Sequence, residues 1–142
     1  MLPDTVSPSV PTPAPAHPLA PHLARERAAP DPDVLQRLVA ARGLDAAEDM
    51  ICRALAELAC RQDEIEAAHR ACRFDRIGTQ ARCMAALCDK IGLPGLARIS
   101  RDTETCAQAM DPVALGAVLA RLGRLCARTL ADAWDIVETG GG

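Results

Sequence analysis

The chain has 142 residues and a formal net charge of −3, so it lacks the basic excess that binds a nucleic-acid backbone. Aromatic residues make up 1% of it, which argues against the base-stacking surfaces of single-strand binders and against strands, which favour aromatic and β-branched residues. No apolar run approaches the ~20 residues of a membrane-spanning helix, and no secretory signal is visible at the N-terminus. We therefore expect a cytoplasmic all-α protein that binds neither nucleic acid nor membrane.

Proline divides the chain into a tail and a folded part. Residues 1–30 contain eight of the eleven prolines, and proline both fixes φ and removes a backbone donor. This Pro/Ala-rich segment is predicted to be disordered, and the glycines at 140–142 are predicted to form a short frayed end. The folded domain is therefore expected to span residues 31–139.

The first two predicted helices are separated by Gly43. Asp31 followed by Pro32 predicts an N-cap and a first-turn proline for a short helix that ends at this glycine. Asp45 and Glu48 then have the spacing of a capping box at the start of a long second helix. The apolar stripe of this second helix consists of Ile51, Leu55, Leu58, Gln62, Ile65, His69 and Cys72.

Three more amphipathic helices follow, and the loops between them are only a few residues long. The third is predicted from near Asp75 to Gly92, the fourth from Pro94, and the last from an Asp111 cap to about Glu138. Short loops force consecutive helices to lie antiparallel, so the predicted fold is an up-down antiparallel four-helix bundle with a short preceding helix. The stripes of the third and fourth helices are Ile77, Ala81, Met84, Cys88 and Ile91, and Leu96, Ile99, Thr103, Cys106 and Met110.

Seven cysteines are present, at positions 52, 60, 72, 83, 88, 106 and 126. Their number is odd, none forms a Cys-x-x-Cys pair, and no histidines are spaced around them as zinc ligands would be. In a reducing compartment cysteine behaves as a small buried hydrophobe, so these residues are predicted to be core side chains. The sequence shows neither a phosphate-binding glycine loop nor a nucleophile beside a base, and no metal or cofactor is expected.

Arg82 is a solitary long side chain among small residues on the third helix. It lies about 100° round the helix from the apolar stripe, on a side predicted to face solvent. Small exposed neighbours allow the surface of a partner to approach the residue at their centre. The plainer interpretation is an ordinary solvated arginine near Asp89. The predicted surface consists of Arg82, Gly78, Thr79, Ala85, Ala86 and Asp89.

The stretch ARCMAALCDKIGLPGLARISRDTETC, residues 81–106, resembles the histidine-containing phosphotransfer (HPt) domain of bacterial phosphorelays. The family's signature has an Ala-His pair, a Leu two residues after the His, and a Leu-Gly pair before a helix break. The resemblance covers residues 33–138 and implies a four-helix bundle in two-component signalling. The matching positions are Ala81, Met84, Ile91, Gly92, Leu93 and Pro94, with Thr103 and Glu104 where the family has a Leu-Glu pair.

This sequence departs from the family at the positions that carry out phosphotransfer. Arg82 occupies the position of the phosphoacceptor histidine, and Ala85 and Ala86 replace a Lys and a Gly. An arginine guanidinium is permanently protonated and has no nucleophilic lone pair, so phosphotransfer is not expected and the chain is predicted not to be an enzyme. His69 is the one histidine of the predicted folded part. Its place on the apolar stripe, beside Arg70, makes it a weak alternative acceptor.

The resemblance implies that this module docks the receiver domain of a response regulator or a histidine kinase. Receiver domains carry an acidic pocket around their phosphorylatable Asp, and a guanidinium can form a bidentate, charge-assisted contact with a carboxylate or phosphoryl group. We expect docking without phosphotransfer, through the face of the second and third helices. A helical adaptor or structural bundle unrelated to phosphorelays is the alternative, and the sequence leaves the oligomeric state open.

Overall fold

The computed structural model describes the backbone of residues 29–140 and the side chains of residues 29–133. The tail predicted over residues 1–30 lies almost entirely outside these residues. All of the regular secondary structure in the described part is helical, which confirms the all-α prediction. The five helices are α1 (Pro32–Arg42), α2 (Leu44–Arg70), α3 (Phe74–Ile91), α4 (Pro94–Gln108) and α5 (Pro112–Gly140).

Two of the predicted helix starts are capped as expected. The Asp31 carboxylate accepts a hydrogen bond from the backbone N–H of Asp33 at 2.9 Å. The carboxylate of Asp111 accepts from the N–H groups of Val113 and Ala114, both at 3.1 Å. In each case proline follows the cap, where its missing N–H removes no intrahelical hydrogen bond. Local sequence therefore accounts for the side-chain caps of α1 and α5.

The capping box predicted for α2 from Asp45 and Glu48 does not form. The N-cap is Gly43, which has no side-chain oxygen and whose φ of +83° is one that L residues rarely adopt. Because Gly43 also ends α1, a single glycine connects the two helices. Asp45 consequently lies inside the first turn of α2, where its carboxylate interacts favourably with the positive end of the helix dipole.

The last helix is slightly longer than expected. The sequence predicts an end at about Glu138, whereas α5 extends to Gly140. Of the predicted glycine end, residues 141 and 142 fall outside the described residues. No helix in the described part of the chain is both long and apolar enough to cross a membrane.

The core forms where α2, α3, α4 and α5 pack against one another. Helices α3 and α4 make the most extensive contact, the pairs α2–α3, α4–α5 and α2–α5 complete a ring of neighbours, and α1 packs on α2 and α3. The connections of the ring, at 71–73, 92–93 and 109–111, are short, so consecutive helices are close neighbours. The largest fully buried side chains include Leu58, Ile65, Ile77, Met84, Leu96, Ile99, Leu115 and Leu122.

Most of the predicted apolar stripes are buried or half-buried, and the polar Gln62 on α2 is buried with them. His69, Cys72 and Met110 are exposed, against expectation. The stripe of α2 loses its neighbours at its end, because the helix stops at Arg70 and the chain turns at Cys72 with a φ of +56°. Met110 lies beyond the end of α4, with a φ of +55°.

The start of α1 is held against the connection between α3 and α4. The backbone N–H of Asp31 donates to the carbonyl of Gly92 at 2.7 Å. Gly92 has a φ of +77°, the left-handed conformation of a helix C-cap. A Cβ atom at this position would lie 2.9 Å from the Cβ of Val34. Both the backbone conformation and the closeness of α1 therefore require glycine.

Candidate functional site

One side of α3 packs into the core, and Arg82 lies at the edge of that side. Ile77, Ala81, Met84 and Cys88 are fully buried, as their helical spacing predicts. Arg82 follows Ala81 and is therefore rotated by about 100° from the buried side. The Arg82 side chain is 68% exposed, so the guanidinium lies at the surface as expected.

Arg82 is paired across the helix interface with Glu104 of α4. Its Nε donates a hydrogen bond to Oε2 of Glu104 at 3.1 Å, and the Glu104 side chain is only 23% exposed. Gln108, one turn further along α4, donates from Nε2 to the other carboxylate oxygen at 3.5 Å. The ion pair places Arg82 on the side of α3 next to α4, and not on the expected face of α2 and α3.

Asp89, near which the plainer interpretation places Arg82, is paired with another residue. Its carboxylate accepts a hydrogen bond from Nη2 of Arg101 on α4, and both of these side chains are more than half exposed. A second ion pair therefore joins α3 to α4, about two helical turns from the first. The two pairs lie along the most extensive helix contact of the molecule.

Gly78 and Ala85, which the sequence predicts at the surface, are buried. A Cβ atom at Gly78 would lie 3.7 Å from the Cβ of Ala107 on α4, so the two helix backbones approach closely at this point. The small residues on this flank of α3 make room for α4, and no partner protein can reach them. The expectation of exposure is therefore wrong for these two residues.

Thr79 and Ala86 lie on the other flank of Arg82 and are exposed, as expected. The Thr79 hydroxyl donates to the backbone carbonyl of Asp75 at 3.1 Å, so it is turned back onto its own helix. Thr79, Arg82, Ala86 and Asp89 together form a surface of low side-chain bulk, here called the Arg82 surface. Chemically it can present one cation to an anionic group on a partner.

His69 is exposed in the last turn of α2, whereas the sequence predicts partial burial. Its backbone carbonyl accepts a hydrogen bond from the N–H of Cys72 at 3.1 Å, which tightens the turn after the helix. A histidine near a helix C-terminus interacts favourably with the helix dipole when it is protonated. The hydrogen bond involves the backbone of His69 and assigns no role to its imidazole, so His69 stays a weak alternative acceptor candidate.

The cysteines divide into three environments. Cys88 and Cys126 are buried, and desolvation, reinforced by nearby negative charges, raises the pKa of the Cys88 thiol to about 12 and that of Cys126 to about 11. The predicted core role is right for this pair and wrong for the exposed cysteines. Among the described residues, no group of three or more His, Cys, Asp or Glu side chains could hold a metal ion. The remaining cysteines are the half-buried Cys83 and Cys106 and the exposed Cys52, Cys60 and Cys72.

Sequence reasoning missed Glu104 as the partner of Arg82, although the chain contains a signal for it. Consecutive helices joined by a very short connection form a hairpin, and the connection between α3 and α4 is at residues 92–93. Arg82 is eleven residues before Leu93 and Glu104 is eleven residues after it. Residues that are equally far before and after the turn of a helical hairpin lie next to each other, so this count identifies Glu104 as the neighbour of Arg82.

Comparisons of the chain with family models, with curated proteins and with solved structures find no match in any of the three. The resemblance to HPt domains therefore rests on the residues of α3 and α4 and on the helical architecture around them. The geometry of the Arg82 surface is the main guide to function.

Proposed function

We propose that the chain is a degenerate HPt-like module of a bacterial two-component phosphorelay, which docks a receiver domain or a histidine kinase without passing phosphate. The observation that carries the proposal is the exposed Arg82 at the family's histidine position, beside the small exposed residues Thr79 and Ala86. The module acts in the cytoplasm, where receivers and kinase domains meet. Its α2 to α5 form an up-down antiparallel four-helix bundle, which the short connections and the ring of helix contacts support.

The replacement of histidine by arginine removes the phosphoacceptor. A guanidinium has no nucleophilic lone pair at physiological pH, and Glu104 already accepts a hydrogen bond from Nε of Arg82. The family's Lys position is the buried Ala85, so no second cation is available there to balance a phosphoryl group. The module therefore binds a partner and transfers nothing to it.

Docking uses Arg82 as an electrostatic anchor. A receiver presents carboxylates around its phosphorylatable Asp, and an arginine can meet a carboxylate with two parallel N–H···O bonds. The hydrogen bond to Glu104 occupies Nε, and an exposed ion pair contributes only about 0.2–1 kcal/mol. A receiver carboxylate that is desolvated at the interface can therefore draw the guanidinium away from Glu104.

A titration tests this docking directly. Receiver domains and kinase domains from the source organism are titrated against the wild-type chain and against Arg82→Glu, which reverses the charge at the centre of the Arg82 surface. We expect saturable binding to at least one domain and at least a tenfold loss of affinity in Arg82→Glu. Arg124→Glu, the same charge change at an exposed position of α5, is the matched control and should bind as the wild type does. Absence of binding across the whole set would refute the proposal.

A labelling assay tests the loss of phosphotransfer. Receivers phosphorylated with acetyl phosphate are incubated with the wild-type chain, Arg82→His and His69→Ala, and acid-labile, alkali-stable phosphate on the chain is measured. We expect no label on the wild type, and label on Arg82→His if the docking surface is intact. Label on the wild type that disappears in His69→Ala would show instead an active phosphotransfer protein that uses His69.

A helical adaptor without a phosphorelay partner is the second candidate. The observation that favours it is the pair of cross-helix contacts, Arg82–Glu104 and Asp89–Arg101, which gives Arg82 a structural partner within the chain. Arg82→Glu lowers the free energy of unfolding under both candidates, because it places a carboxylate beside Glu104. In the adaptor case no receiver or kinase binds the wild-type chain, so the binding titration separates the two candidates.

A further inference from the structure

A cleft of about 540 Å³ lies between α1, α2 and the C-terminal half of α3. Its α3 wall includes Leu87, which is rotated by about 140° from Arg82 around the helix, so the cleft is separate from the Arg82 surface. Leu38, Met50 and Leu87 line it with apolar side chains that are only half-buried. Solvent therefore reaches apolar side chains along the open side of the cleft.

Three cations line this cleft. Arg42 of α1, Arg53 of α2 and Lys90 of α3 all border it, whereas Glu57 is the one acidic residue in its lining. Glu57 already accepts hydrogen bonds from Nε and Nη2 of Arg61, the shorter at 2.7 Å. Within residues 29–133, none of the three cations forms an ion pair with a carboxylate. With three cations and one carboxylate, the lining has a formal net charge of +2.

Helix dipoles explain only part of this charge. Arg42 and Lys90 lie in the last turns of α1 and α3, where cations interact favourably with the helix C-terminus. Arg53 is the tenth residue of α2 and lies far from its C-terminus. Its Nε donates a hydrogen bond to the backbone carbonyl of Asp49 at 3.4 Å. Neither a helix C-terminus nor an ion pair within the described residues accounts for its position beside the cleft.

Two further apolar side chains near the link between α1 and α2 are exposed, although neither lines the cleft. Val39 is 38% exposed and Leu44, directly after Gly43, is 58% exposed. Met50 adds a flexible thioether of the kind found at surfaces that adapt to different helical ligands. The region combines an apolar floor with a cationic rim.

We propose that this cleft binds an acidic amphipathic helix of a partner protein. An amphipathic helix lays its apolar face into a hydrophobic groove, and Asp or Glu residues along its edges would meet Arg42, Arg53 and Lys90. A small-molecule site usually encloses most of its ligand, which this open cleft does not do. A nucleic-acid backbone offers phosphates but no apolar face for Leu38, Met50 and Leu87. The inference does not depend on the phosphorelay proposal.

A peptide library tests the inference without assuming a partner. Displayed 16-residue helices with leucine on one face and random residues elsewhere are selected on the full chain and depleted on Ala46→Trp. Ala46 is exposed and lines the cleft, so tryptophan there fills the cleft without entering the core. Clones that survive should be enriched in Asp and Glu on their polar face, and binding should weaken as salt is raised.

Titration of the enriched peptides then locates the contact. The double variant Arg53→Glu with Lys90→Glu should weaken binding at least tenfold, as should Ala46→Trp. The matched controls Ala56→Trp and Arg124→Glu, at exposed positions outside the lining, should change it less than twofold. Circular dichroism verifies that every variant is folded.

Four results would overturn the inference. Depletion on Ala46→Trp that leaves no clones would show that the cleft does not bind helices. Surviving clones without an acidic excess, or affinities unchanged in the double charge reversal, would show that the cations play no part. Decanoate that binds in the cleft and displaces the peptides at submillimolar concentration would assign it to a small anionic amphiphile instead.

Discussion

Replacing Gly78 with larger residues tests the close approach of α3 to α4. Gly78 is buried, and a Cβ atom there would lie 3.7 Å from the Cβ of Ala107, which is ordinary van der Waals contact. Gly78→Ala therefore removes the entropic penalty of a helical glycine, about 0.5–1 kcal/mol, and buries a methyl group without a clash. We expect the free energy of unfolding to rise by about 1–2 kcal/mol when the burial of one carbon is included.

A leucine at the same position is expected to have the opposite effect. Its three further carbons enter an interface in which the first added atom already makes contact with Ala107, and overpacking of this kind costs about 1–3 kcal/mol. Gly116 of α5 is the matched control, because nothing lies within 4 Å of a Cβ built there. Gly116→Ala and Gly116→Leu should each raise stability by about 0.5–1 kcal/mol.

Urea unfolding followed by circular dichroism at 222 nm measures the four variants. The decisive quantity is the free energy of unfolding of the leucine variant minus that of the alanine variant at each position. We expect this difference to be large and negative at Gly78 and near zero at Gly116. An equal response at the two positions would show that Gly78 faces solvent, as the sequence alone predicts. The packing of α3 against α4, and with it the assignment of Arg82 to that side, would then be wrong.

Three further variants or conditions probe other parts of the fold. Gly92→Ala should cost more than the ~1–2 kcal/mol of left-handed strain, since the new Cβ would lie 2.9 Å from the Cβ of Val34 and 3.1 Å from its Cγ1. Val34→Gly removes both atoms, so it should cost less in the Gly92→Ala variant than in the wild type, and strictly additive effects would contradict this. Gln62→Met should stabilise by about 1 kcal/mol, because the Gln62 Oε1 is buried without a hydrogen-bond partner; destabilisation in urea melts would contradict this. The free energy of unfolding should fall between pH 8 and pH 10, by about 1.4 kcal/mol for each buried thiol at pH 10, because the unfolded thiols ionise from the reference pKa of 9.0 while Cys88 and Cys126 stay protonated. The chain has no Tyr and a single Lys, so an unchanged stability over this range would contradict the burial of both thiols.

Local rules predicted the helices and two of their caps correctly. Asp31 and Asp111 act within three residues of their own positions, so neighbours in the sequence contain all the necessary information. The start of α2 was mispredicted because Gly43 both ends α1 and precedes α2, which leaves no side-chain oxygen at the N-cap. His69 is exposed because it lies in the last turn of α2, which ends at Arg70 before the predicted stripe is complete.

Which flank of α3 is buried could not be predicted from helical periodicity. The helical period of the apolar residues correctly places Ile77, Ala81 and Met84 at the centre of the buried side of α3. How far around the helix the buried side extends depends on where the neighbouring helices lie. Helix α4 covers the flank of Gly78 and Ala85, so these two small residues serve helix packing. The information resides in the contact between two helices, and a single helical pattern does not contain it.

In the proposed docking, the ion pair with Glu104 competes with the partner for Arg82. An exposed pair is worth about 0.2–1 kcal/mol, so releasing Arg82 in Glu104→Gln should tighten receiver binding by roughly 1.4-fold to 5-fold, since 1.4 kcal/mol is a factor of ten. The Gln side chain keeps the shape of the carboxylate that lies 3.1 Å from Nε of Arg82. Weaker binding in Glu104→Gln would reverse the interpretation: Glu104 would then orient the guanidinium for docking, and the pair would be part of the interface and not a competitor for it.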